Sequence, residues 1–334
     1  MLEGPFISVC TPVYNGEKFL EECIKGVLAQ RYENFEYIIV DNASTDRTAE
    51  IIEQFSSKDS RIKVFRNSST VHVTDNFKKC AKLCSDESRW IKYACADDYL
   101  FPNCLMELLS VGELSEEIGL VSAYRLYGRR LTNEGLPVEQ SVFKGKEILK
   151  RQLLRRLHVC SCSPNALMYR KSAFDAVGGF DNKYLHADTE LAMRLLDNYD
   201  LGFSHFVLSK TGLHGSRGET YSIYTGNVIR EYLDFGFTNL QRYGSVTFSE
   251  EELDELVEYY TKQLSEFIAK KLAHLDLKNI RAILGNCPGK VKGKLLSAFG
   301  ADLGRYLRAF AVELAHVIRG TAIKPTFRTI KSNE

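Results

Sequence analysis

The hydrophobic pattern of the amino-terminal half alternates between short continuous apolar runs and longer stretches with helical spacing. Phe6–Thr11 and Tyr37–Asp41 are continuous apolar runs, which are typical of strands buried on both faces of a sheet. Between them, apolar residues recur at helical spacing, namely Phe19, Leu20, Cys23, Ile24, Val27 and Leu28. Strands that alternate with helices indicate βαβ units and a mostly parallel central sheet, which is an α/β fold.

This alternation continues to about residue 210. Pro12–Gly16 is predicted to end the first strand, and Arg125–Gln140 is predicted to be an exposed excursion. The other predicted elements are a helix capped by Ser44 or Thr45, a third, less buried strand at Arg61–Arg66, a helix at 73–84, a strand at 90–98, a helix from about Asn103, and strands at Ile118–Tyr124, Asn165–Arg170 and Leu201–Leu208.

Two adjacent carboxylates, Asp97 and Asp98, end the buried strand that begins at Trp90. A protein core cannot hold two bare charges, so this pair must face water, a metal ion or a cationic partner. Thr11 and Asp41 also fall at the carboxyl ends of predicted strands, where ligands bind in open α/β sheets. We therefore predict one shared site, in which the acid pair holds a divalent cation on a diphosphate.

The stretch from 140 to 221 contains four features with candidate chemistry. Lys144–Leu157 is a basic helix, which is either a solvated surface or a contact for an anionic acceptor. Gly178–Asp181 is predicted to be a turn, and Asp188 follows at the start of a helix, where a negative charge is favourable. His214 lies in a polar loop. Asp188 and His214 also have plain structural explanations, as a charge at a helix start and a loop histidine.

The chain changes in character after about residue 245, and we divide it into a domain at 1–245 and a basic helical region at 246–334. Ser249 and Glu252 form a predicted capping box, and two helical stripes of apolar residues follow. From residue 261 onward the formal charge is +9, which leaves −8 for the rest. Such a tail can pack on the main domain, bind anionic lipid, or pair with an acidic partner or a second copy of the chain.

The 334 residues suffice for a large domain and a smaller one. A formal net charge of +1 does not indicate a nucleic-acid partner. No basic leader precedes the first strand, and no apolar run reaches the roughly 20 residues of a membrane span. The nine scattered cysteines favour reduced thiols over disulfides or structural zinc. We therefore expect a cytoplasmic protein, with peripheral contact at the inner face of the cell membrane if the tail binds lipid.

Four blocks in order along the chain carry a family resemblance: Ser8–Gly16, Val40–Asp46, Asp97–Asp98, and Gly178–Asp181 with Asp188 beyond it. Together they resemble the inverting glycosyltransferases of family 2, over about residues 5–225. The resemblance implies the GT-A fold and the transfer of one sugar from a nucleotide-diphosphate sugar, typically a UDP-sugar. The implied acceptor is a hydroxyl of a glycan or lipid-linked sugar, in bacterial polysaccharide biosynthesis.

The same resemblance implies roles for individual residues. They are a nucleobase pocket lined by Thr11, Pro12 and Tyr14; an acceptor for the base at Asp41; a ribose contact at Asp97; a ligand for Mn²⁺ or Mg²⁺ at Asp98; a general base at Asp188; and a metal or diphosphate contact at His214. The departing nucleoside diphosphate is highly anionic, so a metal and fixed donors must neutralise its charge. A positioned carboxylate takes the proton of the attacking hydroxyl, which typically contributes roughly 10²–10⁴-fold.

The chain departs from the family pattern in three places. Cys95–Ala96 stands where many relatives have an additional acid, so the division of ribose and metal roles between the two aspartates is open. Ala187 replaces an acid that often precedes the base. The Gln-x-x-Arg-Trp motif of processive synthases is absent, since Trp90 is the only tryptophan, and this favours single addition.

Two alternatives stay open at this point. A catalytically inactive GT-A domain could keep the nucleotide site and act as a scaffold for partner proteins. The missing acid and the long tail favour this alternative, whereas the presence of Asp41, Asp98 and Asp188 argues against it. A nucleotidyltransferase shares the α/β layout. It would need a glycine-rich basic loop after the first strand, which Pro12–Gly16 does not provide.

Overall fold

The computed structural model describes residues 4–160, 163–181, 183 and 186–212, together with short stretches between 236 and 263. The chain divides into two compact units, Met1–Leu213 and His214–Glu334. All strands and helices given below belong to the first unit.

In the described part of the first unit, helices flank one sheet. The strands are β1 (Ile7–Val13), β2 (Phe35–Asp41), β3 (Ile62–Arg66), β4 (Trp90–Tyr93), β5 (Asp98–Leu100), β6 (Ile118–Tyr127), β7 (Arg130–Thr132), β8 (Val142–Phe143), β9 (Met168–Arg170) and β10 (Asp200–Thr211). The helices are α1 (Leu20–Leu28), α2 (Thr48–Ser56), α3 (Val73–Lys82), α4 (Cys104–Gly112), α5 (Gly145–Leu153), α6 (Lys171–Ala176) and α7 (Ala187–Asn198), with a 3₁₀ turn at Pro164–Ala166.

The strand order across the sheet is β3-β2-β1-β4-β9-β6-β10-β5. Strands β1 to β4 are parallel, and so are β6 and β10. Because β9 is antiparallel to both β4 and β6, the strands β6 and β10 point in the same direction as β1 to β4. The mostly parallel sheet predicted from the alternation is confirmed. The carboxyl ends of these six strands lie along one side of the sheet, which we call the carboxyl edge.

The first strand is longer than predicted. It continues through Pro12 to Val13, which pairs with Asp41 of β2. On its other side, pairing with β4 stops at Cys10. Beyond that point β1 has only one hydrogen-bonding neighbour, and a proline is tolerated in such an edge position because its missing N–H is not needed.

Two other strand predictions are wrong in their extent. The strand predicted at 90–98 ends at Tyr93, and a separate strand begins at Asp98 and pairs antiparallel with β10. Of the strand predicted at Asn165–Arg170, only the last three residues belong to a strand, because Asn165 and Ala166 lie in the 3₁₀ turn. Both errors concern apolar segments whose backbone direction changes without a change in hydrophobicity.

The sheet is covered by helices, as its continuous apolar strands predicted. Every residue of β1 and β2 is buried. Helix α3 packs against β1 and β2, whereas α4 and α7 pack against β6 and β10. Trp90 is fully buried, and its indole nitrogen donates to Glu113 at 2.7 Å. The guanidinium of Arg170 lies 4.5 Å from the indole ring. A rigid, covered sheet therefore supports the carboxyl edge.

Helix α5 begins against the end of α7, and the two helices pack on each other. Gly145, the first residue of α5, lies so close to the end of α7 that an added Cβ would be 1.8 Å from the Tyr199 carbonyl oxygen and 2.4 Å from that of Leu196. Because α7 leads directly into the amino end of β10, it starts at the carboxyl edge and runs away from it. From these contacts we infer that α5 and α7 run in opposite directions, with the last turn of α5 toward the first turn of α7.

The second unit contains the predicted helical region 246–334, of which only short stretches up to residue 263 are described. The capping box predicted there is confirmed. The Ser249 hydroxyl accepts a hydrogen bond from the Glu252 amide at 3.2 Å, and the Glu252 carboxylate accepts one from the Ser249 amide at 2.7 Å. The boundary near residue 245 stays a prediction.

Candidate active site

The loops that follow β1, β2 and β4 meet at the carboxyl edge. Val13 is in register with Asp41, and the Asn42 amide donates to the Val13 carbonyl at 2.8 Å. The Ala94 amide donates to the Cys10 carbonyl at 2.9 Å. The three strand ends are therefore joined directly, so the acids that follow them are held by the rigid part of the sheet.

Side chains bond the loops after β1 and β2 to each other. The Ser44 hydroxyl accepts from the Asn15 amide, and the Asn15 side-chain oxygen accepts from the Thr45 amide, both at 2.9 Å. The Thr48 hydroxyl accepts from the Gly16 amide at 2.8 Å. The prediction that Ser44 or Thr45 caps the second helix is wrong, because α2 starts only at Thr48 and these side chains join the two loops instead.

Asp41 is a buried carboxylate with one oxygen that lacks a hydrogen bond. The residue is 1% exposed, and its Oδ1 accepts from the Ser44 amide at 3.0 Å. Its Oδ2 is buried without a hydrogen bond, 3.4 Å from Nε of Arg66 in an ion pair. A buried oxygen without a donor is costly, and an N–H of a bound ligand would remove that cost. This placement suits the predicted contact with a nucleobase.

The three residues predicted to line the nucleobase pocket have different surroundings. Thr11 is fully buried, and its hydroxyl donates to the Ala94 carbonyl at 2.8 Å and lies 2.9 Å from the Tyr37 hydroxyl. The Thr11 hydroxyl is thus bonded within the interior, and the predicted place of Thr11 in a base pocket, which would then involve its backbone, stays a prediction. Pro12 is also buried. Tyr14 is 52% exposed at the end of β1.

The acid pair follows a short turn after β4. The Asp98 amide donates to the Cys95 carbonyl at 2.9 Å and closes the turn. Asp98 is 4% exposed, and its Oδ1 accepts from the Gly212 amide at 3.1 Å, whereas Asp97 is half-buried. The residue predicted to assist them, His214, lies outside the described residues, so its contact stays a prediction.

The thiol of Cys23 lies close to the acid pair. Its Sγ donates to the Cys95 carbonyl at 3.4 Å. Burial raises the pKa of the Cys23 thiol to about 12, and the negative charges of Asp98 and Asp97 contribute to the rise. At neutral pH the thiol therefore keeps its proton and holds the turn as a hydrogen-bond donor.

Two buried cations near the acid pair were not predicted. Lys92 on β4 is fully buried, and its ammonium donates to the carbonyls of Asn165 and Leu167, the latter at 3.2 Å. Burial lowers the pKa of Lys92. Arg125 on β6 is 4% exposed, and its Nη1 donates to the Thr211 hydroxyl at 3.1 Å. The edge that holds the acids is therefore also supplied with positive charge.

The position of Arg125 corrects the prediction that 125–140 is an exposed excursion. Strand β6 continues to Tyr127 and forms a hairpin with β7, which keeps Arg125 inside the sheet. A lysine within an otherwise apolar strand was the available signal for Lys92. No comparable signal marked Arg125, because its burial depends on the neighbouring strand β10.

Asp188 lies in the first turn of α7, where the sequence predicted it. Its Oδ1 accepts from the Thr189 amide at 2.8 Å, and the side chain is partly exposed. Because α7 begins at the carboxyl edge, the topology brings Asp188 to the same edge as Asp41 and the acid pair.

The turn before α7 is bonded to the helix. Gly178 and Gly179 have φ angles of 84° and 64°, in the left-handed region that glycine adopts without strain. Arg194 donates to the carbonyls of Val177 and Gly179, the latter at 2.6 Å, and forms an ion pair with Glu190 at 2.7 Å. These contacts orient the start of α7, and with it Asp188.

A network of amides supports the loop between β3 and α3, beside Asp41. The Asn42 side-chain oxygen accepts from the Asn67 side chain at 2.8 Å and from the Val71 amide at 2.9 Å. Asn67 donates to Asn76 at 2.9 Å and accepts from the Lys79 ammonium at 2.7 Å. The polar groups of Asn76 and Lys79 are therefore engaged in holding this loop.

The sequence matches the family model described as Glycosyl transferase family 2 over residues 8–178, just over half of the chain. The glycosyltransferase GlyG of Streptococcus pneumoniae serotype 4 is 47% identical over 58 residues, which are 17% of this chain and 19% of GlyG. Three curated relatives with 35% to 47% identity are matched over only 19% to 37% of their own length.

Two solved structures are similar along nearly the whole chain. S. aureus TarS in complex with UDP-GlcNAc has a TM-score of 0.65 and 14% identity, with 95% of this chain and 93% of that chain covered. The mannosyltransferase PcManGT from Pyrobaculum calidifontis, in complex with GDP-Man and Mn²⁺, has a TM-score of 0.54 and 14% identity, with 92% and 86% covered. At this identity the likeness concerns the fold, and it confirms the predicted GT-A architecture. Within the described ranges, no helix has the length and apolar character that a membrane crossing requires.

Proposed function

Because this chain belongs to glycosyl transferase family 2, we propose that it transfers one sugar from a nucleotide-diphosphate sugar to an acceptor hydroxyl, with inversion at the anomeric carbon. The observation that carries the proposal is the buried carboxylate of Asp41, with an oxygen that lacks a hydrogen bond. It lies at the same sheet edge as the Asp97–Asp98 pair and Asp188. This reaction requires a hydrogen-bond acceptor for the nucleobase, carboxylates that hold a cation on the diphosphate, and a carboxylate that acts as the general base.

The Asp41–Arg66 pair suits a base that presents an N–H group beside a carbonyl. Oδ2 of Asp41 accepts the N–H, and the guanidinium of Arg66, 3.4 Å from that carboxylate, donates to the carbonyl. Uracil and guanine both have this pattern, and TarS and PcManGT bind UDP-GlcNAc and GDP-Man. We favour a UDP-sugar, in line with the family resemblance. The exposed ring of Tyr14 at the end of β1 stacks on the base.

The acid pair fits a divalent cation such as Mn²⁺ or Mg²⁺, because carboxylates are hard oxygen ligands. Among the described residues, no group of three or more His, Cys, Asp or Glu side chains could hold a metal ion. Asp98 would thus supply one or two carboxylate oxygens to the cation, and Asp97 would lie on the ribose side. The diphosphate and water would supply the remaining metal ligands, as is usual for Mg²⁺. When bound, the cation neutralises charge on the departing diphosphate. We propose that His214 approaches the cation or the diphosphate.

Asp188 acts as the general base in this proposal. Its carboxylate takes the proton of the acceptor hydroxyl while that oxygen forms a bond to the anomeric carbon. The bond between the anomeric carbon and the diphosphate oxygen breaks, and the nucleoside diphosphate leaves with the electron pair. A single displacement of this kind inverts the anomeric centre. The Thr189 amide holds Oδ1 of Asp188, which leaves Oδ2 for the hydroxyl.

For the acceptor we propose a hydroxyl of a glycan or lipid-linked sugar, in polysaccharide biosynthesis at the cytoplasmic face of the membrane. The basic region 246–334 would then bind anionic lipid or pair with a second copy of the chain. Sedimentation with anionic vesicles tests the lipid contact. Equal binding by the full chain and by a chain that ends at residue 245 would exclude the tail as the anchor.

The nucleotide site is tested by calorimetric titration of UDP, GDP and dTDP, each with Mn²⁺ and then with EDTA. We expect metal-dependent binding of one nucleotide, which identifies the donor class. Loss of this binding in Asp98→Ala would support the metal assignment. If none of the three nucleotides binds, the transferase proposal is wrong, and an inactive scaffold becomes the better interpretation.

A further inference from the structure

Within the described residues, two amide side chains have both polar atoms buried and without a hydrogen bond. Gln152 is 5% exposed and Asn165 is 1% exposed. The nitrogen and the oxygen of each amide are buried and unpaired. Native proteins pair nearly all of their buried polar groups, because an unpaired group destabilises the folded state. Two fully unpaired amides in one unit therefore require an explanation.

Both residues lie toward the carboxyl edge, beside the candidate active site. Strand β9 runs antiparallel to β4, with Met168 opposite Lys92, so the turn that contains Asn165 extends past the end of β4 toward the acid pair. Gln152 lies in the last turn of α5, and that end of α5 points toward the first turn of α7, which carries Asp188. The two amides thus lie on the side of the sheet where the diphosphate and the base are proposed.

The backbone around Asn165 is firmly held. The buried ammonium of Lys92 donates to the carbonyls of Asn165 and Leu167, and the Ser163 hydroxyl accepts from the Asn165 amide at 3.2 Å. A fully buried lysine is thus committed to positioning this turn. The fold holds the side-chain amide in place while its two donors and its acceptor stay unused.

We propose that Gln152 and Asn165 recognise hydroxyl groups of the sugar that the donor carries. This inference rests on the proposed function. A carboxamide offers two donors and an acceptor, which matches a sugar hydroxyl that both donates and accepts. The sugar is joined directly to the diphosphate, so the proposed function places it at the carboxyl edge, where the two amides lie. A bound sugar gives both amides the partners that they lack in the free protein.

The test compares apolar replacements of similar size at unpaired and paired amides. Gln152→Met and Asn165→Leu remove the unpaired amides. Gln30→Met is the matched control, because Gln30 is 4% exposed but fully bonded. Its nitrogen donates to two backbone carbonyls at 2.9 Å each, and its oxygen accepts a backbone amide at 3.0 Å.

Two quantities are measured for each variant. One is the Tm. The other is the spread of Kd values, by calorimetry with Mn²⁺, for UDP-glucose, UDP-galactose, UDP-GlcNAc and UDP-GalNAc, or for GDP-mannose and GDP-glucose if the chain binds GDP. We expect the wild type to separate its best and worst sugar by about tenfold or more. The Gln152 and Asn165 variants should keep the Tm, since these two side-chain amides make no hydrogen bond in the free protein. They should also keep the Kd for the free nucleotide but lose most of the spread of Kd values among the sugars. Gln30→Met should lower the Tm by more than about 5 °C and keep the spread.

An unchanged spread in both amide variants overturns the inference, and so does a wild type that does not distinguish the sugars. A fall in Tm as large as that of Gln30→Met also overturns it, because it shows that the amides are paired inside the free protein, for example through buried water. Failure of the proposed function has a different signature, namely a wild type that binds none of UDP, GDP and dTDP.

Discussion

Replacing Asp41 by asparagine tests the centre of the proposed nucleotide site with almost no change in shape. Oδ1 of Asp41 accepts the Ser44 amide at 3.0 Å, and Oδ2 lies 3.4 Å from Nε of Arg66. The new amide has two orientations. In one its NH₂ group faces the Ser44 amide, and in the other it faces the N–H of the base, so in both cases two donors meet. The lost hydrogen bond to a charged group is worth about 1.5–3 kcal/mol, and the unpaired donors add about 1 kcal/mol more. We therefore expect UDP binding to weaken by roughly 70- to 900-fold.

The same substitution should have little effect on folding. Oδ2 of Asp41 makes no hydrogen bond in the free protein, and its ion-pair partner Arg66 has a side chain that is 52% exposed. Exposed ion-pair partners contribute little to stability, so we expect the free energy of unfolding to change by less than about 1 kcal/mol. Binding and stability thus separate at this residue.

Glu36→Gln is the matched control, since Glu36 is a buried acid at the opposite end of the same strand. Its carboxylate accepts from the Ser8 hydroxyl at 2.5 Å, the Lys63 ammonium at 2.6 Å and the Ser85 amide at 2.7 Å. Burial alone would raise the pKa of Glu36, but these hydrogen bonds outweigh it and hold the pKa below its usual value. The control should lose about 2–4 kcal/mol of unfolding free energy and keep UDP binding.

Two measurements on both variants test this reasoning. Calorimetric titration with UDP and Mn²⁺ gives the Kd for UDP, and urea denaturation gives the free energy of unfolding. The reasoning is refuted if Asp41→Asn binds UDP within about threefold of the wild type, because a lost charge-assisted hydrogen bond cannot be that small. It is also refuted if Asp41→Asn is destabilised as strongly as Glu36→Gln.

Four further predictions test the other parts of the molecule. Asp188→Asn should lower kcat by roughly 10²–10⁴-fold in a transfer or donor-hydrolysis assay and leave the Kd for UDP unchanged; near-full activity would remove the base assignment. Asp98→Ala should abolish the Mn²⁺-dependent part of UDP binding, so that EDTA no longer alters the Kd, whereas a retained EDTA effect would place the metal ligand elsewhere. Gly145→Ala should cost about 3 kcal/mol in urea denaturation, because its Cβ would lie 1.8 Å from the Tyr199 carbonyl oxygen; wild-type stability would contradict the packing of α5 on α7. The contribution of Glu36 to stability should be complete above its unfolded pKa of about 4.3 and should disappear as the pH falls through its lower folded pKa, so Glu36→Gln should flatten the acid side of the stability curve from urea denaturation.

The amino-acid sequence by itself determined the α/β class and the positions of most chemical groups. The period of the apolar residues distinguishes strands from helices, and it depends only on near neighbours in the chain. Asp41 and Asp188 lie where the pattern placed them, at a strand end and in the first turn of a helix. Because parallel strands all end at one edge, this local information was enough to predict a shared site.

Only the tertiary structure decided which polar groups are buried and what they contact. The Thr11 hydroxyl is occupied by a carbonyl 83 positions along the chain, and Arg125 is covered through pairing with β10. The turn that ends β4 at Tyr93 depends on the antiparallel pairing of Asp98 with Thr211. Local hydrophobicity does not encode these contacts, because they join segments that are distant in sequence. Burial of a polar side chain, and the partner it finds there, are therefore properties of the assembled sheet.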